Sequence, residues 1–219
     1  MRLRVPWLFW IAAATFVLVT VLVATGVLDR ADRDVLEFCA RQYHRTLAAG
    51  ADHLTNVFSP PSDAAVLGIG AGVLAWLRRR PRPFLLAALT GWATAAIVYF
   101  IKNWVGRPLP HSLEPPGHGN GFPSGHTASF LVCYGVLALI TTQPRTQLRR
   151  VALTVVAAGT VVIAAALVYD GFHWLSDTVG SMALGVALLS LLARNLTTAR
   201  PTPHSDADAG QPARSPQRR

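Results

Sequence analysis

Residues 64–101 read AAVLGIGAGVLAWLRRRPRPFLLAALTGWATAAIVYFI. Two apolar runs, Ala64–Leu77 and Phe84–Ile101, flank the arginine-rich RRRPRP at 78–83. In a soluble domain roughly a quarter of residues are charged, yet neither run holds a single Asp, Glu, Lys or Arg. Each approaches the roughly 20 apolar residues that a helix needs to cross a bilayer. Lipid offers the backbone no hydrogen-bond partners, and a helix satisfies its own. The stretch therefore predicts a pair of membrane-crossing helices joined by a short, cationic turn.

The rest of the chain repeats this alternation. Of 219 residues, 52% are hydrophobic and 14% charged, and the charges fall in short blocks. Six candidate spans emerge: Trp7–Leu28, Val57–Leu77, Phe84–Ile101, Ser124–Thr142, Val151–Tyr169 and Leu175–Ala193. The second is the weakest, because its uninterrupted core is only Ala64–Leu77. The first is too long for a secretory signal, and no small-x-small cleavage site follows it, so it is expected to remain as an anchor. The expected class is an all-α polytopic membrane protein of six transmembrane helices, with one domain over 1–199. Residues 200–219, rich in Pro, Ser, Asp and Arg without apolar periodicity, are expected to form a disordered cytoplasmic tail.

A net charge of +9 invites a nucleic-acid partner, but its distribution argues otherwise. With the N-terminus in the cytoplasm, 14 of the 20 Lys and Arg fall inside. Four of the six outside, Arg30, Arg33, Arg41 and Arg45, sit among Asp29, Asp32, Asp34, Glu37 and Asp52. This is the positive-inside pattern. It predicts a multi-pass protein of the plasma membrane with both termini cytoplasmic, membrane lipids as partners and no nucleic acid. Cys39 and Cys133 lie in an outer segment and mid-span, so neither a disulfide nor a Cys-ligated metal is expected.

Between the first two spans, residues 29–56 place Val35, Phe38, Leu47 and Leu54 at loosely helical spacing among charges. This reads as an amphipathic helix on the outer membrane surface, or else a solvated connector. Residues 106–122 form a Gly- and Pro-rich loop carrying His111, Glu114 and His118.

Ionisable groups at membrane depth are expensive and mark function by default. Three stretches bring them to the outer side: IKNWVGRPLP (101–110), GFPSGHTASF (121–130) and YDGFHWLSD (169–177). The first holds Lys102, the only lysine, and Arg107, two cations placed as a phosphate requires. In the second, Pro123 and Ser124 open a helix whose first free N–H groups, at Gly125 and His126, make an anion site. In the third, His173 and Asp177 lie one helical turn apart. Asp177 can take a hydrogen bond from one ring nitrogen and leave the other as nucleophile or base. Singly, each has a plainer explanation: an interfacial histidine, a capping serine, a snorkelling lysine. Their conjunction on one membrane face favours chemistry.

These stretches resemble the type 2 phosphatidic acid phosphatase (PAP2) superfamily, which shares its site with vanadium haloperoxidases. The family pattern is Lys-x6-Arg-Pro, Pro-Ser-Gly-His and Ser-Arg-x5-His-x3-Asp. Pro123-Ser124-Gly125-His126 matches the second motif in full, His173-x3-Asp177 the end of the third, and Lys102 the start of the first. The likeness covers roughly residues 57–194. It implies a haloperoxidase-like helical bundle and an extracytoplasmic, cofactor- and metal-independent lipid phosphatase. By position, His173 would attack phosphorus, Asp177 would orient its ring, and His126 would serve as acid and then base. Lys102, Ser124 and Gly125 would hold the phosphoryl oxygens, with Arg107 available to swing in. The implied substrates are isoprenoid phosphates or diphosphates, phosphatidic acid and phosphatidylglycerol phosphate. Two departures stand out: Leu109 and Leu167 occupy the positions of the two phosphate-gripping arginines, and Ala166 that of the serine. They motivate a second expectation, a weak or inactive member that binds a lipid or a partner. A metal site built from His111, His118, His126 and His173 has no recognisable ligand spacing.

Overall fold

A computed structural model describes residues 6–110, 120–142 and 145–198. His111, Glu114, His118 and the tail 200–219 lie outside the described residues. Eight helices account for nearly all of the rest. They are α1 (Trp7–Ala24), α2 (Asp29–Arg41), α3 (Arg45–Val57), α4 (Pro60–Arg78), α5 (Arg82–Val105), α6 (Gly125–Thr141), α7 (Thr146–Tyr169) and α8 (Leu175–Thr198).

Five of them, α1, α4, α5, α7 and α8, are long and apolar enough to cross a membrane. Their outer faces carry large apolar side chains with no protein cover. Trp76, Trp92 and Trp104 are 78%, 72% and 74% exposed, a pattern tolerable only against lipid. The sixth expected span, α6, has 17 residues. At 1.5 Å per residue it rises about 26 Å, short of the roughly 30 Å hydrocarbon core. Its position permits this. It runs up the middle of the bundle, packed by α4, α5, α7 and α8, so protein rather than lipid surrounds it. Close approach depends on glycine at two points. A Cβ on Gly135 would lie 2.4 Å from Leu189, and one on Gly159 would lie 2.8 Å from the Phe130 ring. Small residues at such crossings let membrane helices pack without a hydrophobic driving force.

The segment after α1 departs from the single amphipathic helix expected over 29–56. It forms two helices, α2 and α3, broken at Gln42–His44 and laid on α7 and α8. The break is held by Tyr169 at the end of α7. Its hydroxyl donates to the Gln42 carbonyl (3.0 Å) and accepts from the His44 N–H (2.7 Å). The Tyr43 and Tyr169 rings stack at 6.4 Å. Phe38 and Leu47 face outward, whereas Asp32 turns inward and is 3% exposed. The hydrophobic core lies mid-bundle. One cluster is centred on Val132, Val136 and Leu139 and another on Phe130, Ile163 and Leu167. The polar site sits above them, at the bundle end that also carries α2 and α3.

Candidate active site

The three polar stretches meet because each ends or begins a helix at this end. Gly106 stops α5 in the left-handed conformation (φ +58°), its N–H bonded to the Lys102 carbonyl. That turn carries Arg107 toward α2 and the start of α8. The Arg107 carbonyl accepts from the Gly121 N–H (2.7 Å), and the Pro108 carbonyl accepts from Trp174 Nε1 (2.9 Å). The Ser124 N–H donates to the Asp177 carbonyl (3.3 Å). A Cβ on Gly121 would stand 3.0 Å from the Arg107 carbonyl oxygen and 3.3 Å from the Asp177 carboxylate, so a larger residue here would press on both.

His173 is fixed from both its backbone and its ring. Gly171 (φ +69°) turns the chain out of α7, and the N–H groups of Phe172 and His173 donate to the Leu167 carbonyl at 2.9 and 3.2 Å. Its Nδ1 lies 3.2 Å from Asp177 Oδ2, which also accepts from the Trp174 N–H (3.1 Å). Asp177 is fully buried and His173 7% exposed. Nδ1 is thereby committed, and Nε2 is the nitrogen left for chemistry. His126, in the first turn of α6, is within electrostatic reach of both His173 and Lys102. Lys102 also feels Asp177, and its Nζ donates to the Asn120 carbonyl. The helix start leaves the amides of Gly125 and His126 without intrahelical acceptors.

Arg107 is where the sequence reading has to change. Its Nη1 donates to Asp177 Oδ1 (2.8 Å) and Ser176 Oγ (2.6 Å). Its Nη2 donates to Asp32 Oδ2 (2.7 Å) and Asp29 Oδ1 (3.3 Å). The guanidinium lies 5.3 Å over the Trp174 ring and is 8% exposed. Burial opposes its charge, but Asp177 and then Asp32 outweigh burial and hold its pKa above the ordinary arginine value. Swinging toward a phosphate would strand Asp32 and Asp177, and buried charges without partners are costly. Arg107 therefore serves the carboxylates, with Asp177 among them. Ser124 takes the capping position expected of it at the start of α6. It is fully buried, and its hydroxyl oxygen faces the Thr127 N–H (3.4 Å) and hydroxyl (3.2 Å) as the cap of α6.

Residues that the sequence did not single out complete the site. Asp32 accepts from the Ser176 N–H (3.0 Å) and hydroxyl (2.5 Å) as well as from Arg107. On the other side, the Ser129 hydroxyl lies 2.7 Å from the fully buried Asp63 carboxylate and 3.1 Å from the His126 carbonyl. A cavity of 520 Å³ opens between α4, α5 and α6. Leu67, Ala87, Trp92 and Val98 line it, with Lys102, Gly125 and Ser129 also on its wall.

A profile of the PAP2 superfamily matches residues 64–201. The chain belongs to the PAP2 superfamily. Among curated proteins none matches it at the level of sequence. Among solved structures it is similar to one described as the first transmembrane PAP2 type phosphatidylglycerolphosphate phosphatase, from Bacillus subtilis. That likeness has a TM-score of 0.76 and covers 88% of this chain and 97% of the other at 18% identity. At that identity it is a likeness of fold, a PAP2 transmembrane bundle.

Within the PAP2 pattern, the two leucines differ in surroundings. Leu167 is 1% exposed and packs in the cluster with Phe130 and Ile163. Leu109 is half-buried in the loop beyond Arg107. Asp32 lies outside the matched segment altogether.

Proposed function

We propose that this PAP2 protein is an integral-membrane lipid phosphatase working through a phosphohistidine. The observation that carries the reading is the His173–Asp177 pair, which commits Nδ1 and frees Nε2, with His126 within electrostatic reach of His173 and of Lys102. His173 Nε2 attacks phosphorus while the bond to the lipid oxygen breaks, and protonated His126 gives its proton to that oxygen. Neutral His126 then takes a proton from water, the hydroxide attacks phosphorus, and the P–N bond breaks to release phosphate and restore His173. Lys102 and the amides of Gly125 and His126 hold the phosphoryl oxygens, and this fixed electrostatic frame supplies most of the rate. Arg107 is assigned to Asp177 rather than to the phosphate, and Ser124 to the helix cap. The apolar cavity between α4 and α6 supports a lipid tail lodged in the bundle, its phosphate at Lys102 and Gly125. Lipid phosphomonoesters are favoured over diphosphates, since Arg107 is already neutralised.

Phosphate release from phosphatidic acid, phosphatidylglycerol phosphate and an isoprenoid phosphate and diphosphate, by the purified protein in micelles, tests this. Wild type should release phosphate from at least one, and His173→Ala should lose about 10⁴-fold or more, as removal of a covalent nucleophile does elsewhere. Leu109 and Leu167 favour a second reading, a lipid-binding member without turnover. Saturable binding of phosphatidic acid with no His173-dependent release would establish it.

A further inference from the structure

Asp32 lies on α2, far from the PAP2 motifs in sequence, yet it is 3% exposed and at the hub of the site's charges. One oxygen accepts from the Ser176 N–H, and the other from the Ser176 hydroxyl and Arg107 Nη2. A guanidinium is a planar fork that prefers to grip one carboxylate with two nitrogens. Here it does not. Nη1 goes to Asp177 Oδ1, Nη2 to Asp32, and Asp177 Oδ2 stays with His173 Nδ1 and the Trp174 N–H. Asp32, the closer and more deeply buried of the two carboxylates on Nη2, is the main group that keeps the guanidinium divided.

We infer that Asp32 is a positioning residue for the nucleophile: by holding half of Arg107, it keeps Asp177 Oδ2 available to His173. Without the Asp32 charge, Arg107 turns both nitrogens onto Asp177, and the ring loses the acceptor that sets its tautomer and aim. The α2 helix thus becomes part of the catalytic apparatus, acting through Ser176 and Arg107. Asp29, at 3.3 Å and about half exposed, adds to the same fork from one turn earlier. This inference rests on the phosphatase reading.

The test compares steady-state kinetics and thermal stability in micelles for wild type, Asp32→Asn, Arg107→Leu and the double variant. Asp34→Asn, on the exposed side of the same helix, is the control. Asn keeps the shape of Asp32 and its acceptor for the Ser176 N–H but not its charge. Expected is a fall in kcat of about 10- to 100-fold, the scale of a misaimed reacting group, with KM within about twofold of wild type. The double variant removes both charges, so neither Asp32 nor Arg107 is left without the other, while Asp177 loses its guanidinium just as in Arg107→Leu, the variant it is compared with. Its kcat should match that of Arg107→Leu alone, because the coupling passes through Arg107. Wild-type kcat in Asp32→Asn, a loss carried by KM, or multiplicative losses in the double variant would each overturn the inference alone. Absence of His173-dependent turnover in wild type would remove the phosphatase reading and this inference together.

Discussion

At the scale of single residues, the two leucines in arginine positions make opposite predictions. Leu109 is half-buried in the loop after Arg107 and belongs to none of the core clusters, so a longer side chain there displaces no core. Leu109→Arg should lower KM for a lipid phosphate about tenfold, the low end of a charge-assisted hydrogen bond at about 1.5–3 kcal/mol. Leu167 sits in the core beside Phe130 and Ile163, and its carbonyl anchors His173. Leu167→Arg buries a charge with no partner among those neighbours and should lower Tm by 10 °C or more. An increase in kcat/KM from Leu167→Arg, with Tm kept, would contradict this account. The His173–Asp177 pair was legible in the sequence because its spacing is one helical turn. The partners of Arg107 were not, since Asp32 and Asp177 lie 75 and 70 residues away. No local pattern distinguishes a carboxylate facing inward from one facing water.

At the scale of elements, the sequence located the segment between the first two spans and its amphipathic character, but not its break. Neither Gly nor Pro marks Gln42–His44. The helix ends there because Tyr169 supplies the partners that the freed backbone needs. The neighbouring residue, Asp170, is under tension at the same junction. Both of its carboxylate oxygens are buried without a hydrogen-bond partner. Burial and then Asp52 on α3 raise its pKa above the ordinary value. A carboxyl whose pKa is raised by folding costs stability once ionised. The cost is absent below the unfolded value of about 3.9, grows as pH rises toward the folded value, and stays constant above it. Asp170→Asn should therefore raise Tm by a few degrees at pH 8 and lose that advantage near pH 4. Equal effects at both pH values would show that packing, not charge, governs the site.

At the scale of the whole molecule, the bundle sorts its charges by end. Arg78, Arg79, Arg80, Arg82, Arg145, Arg149 and Arg150 gather at the end away from the site. At the site end, Arg30, Arg33, Arg41, Arg45, Lys102 and Arg107 are offset by Asp29, Asp32, Asp34, Glu37, Asp52, Asp170 and Asp177. Segments of even modest cationic excess stay on the cytoplasmic side during insertion, whereas acidic ones cross with little resistance. The hairpin turn at 78–82 is short, so its arginines act with full weight. The positive-inside pattern therefore predicts that the site end faces outward. A cysteine on either end reads the orientation directly. In a Cys39→Ser background, with Cys133 buried in α6, Asp34→Cys presents a thiol on the exposed side of α2 and Gln147→Cys one at the start of α7. A membrane-impermeant maleimide applied to intact cells should label the first within minutes and the second only after the membrane is opened. The reverse pattern would place the site in the cytoplasm. It would also require the seven arginines of the opposite end to have crossed the bilayer, against the cost that the positive-inside pattern reflects.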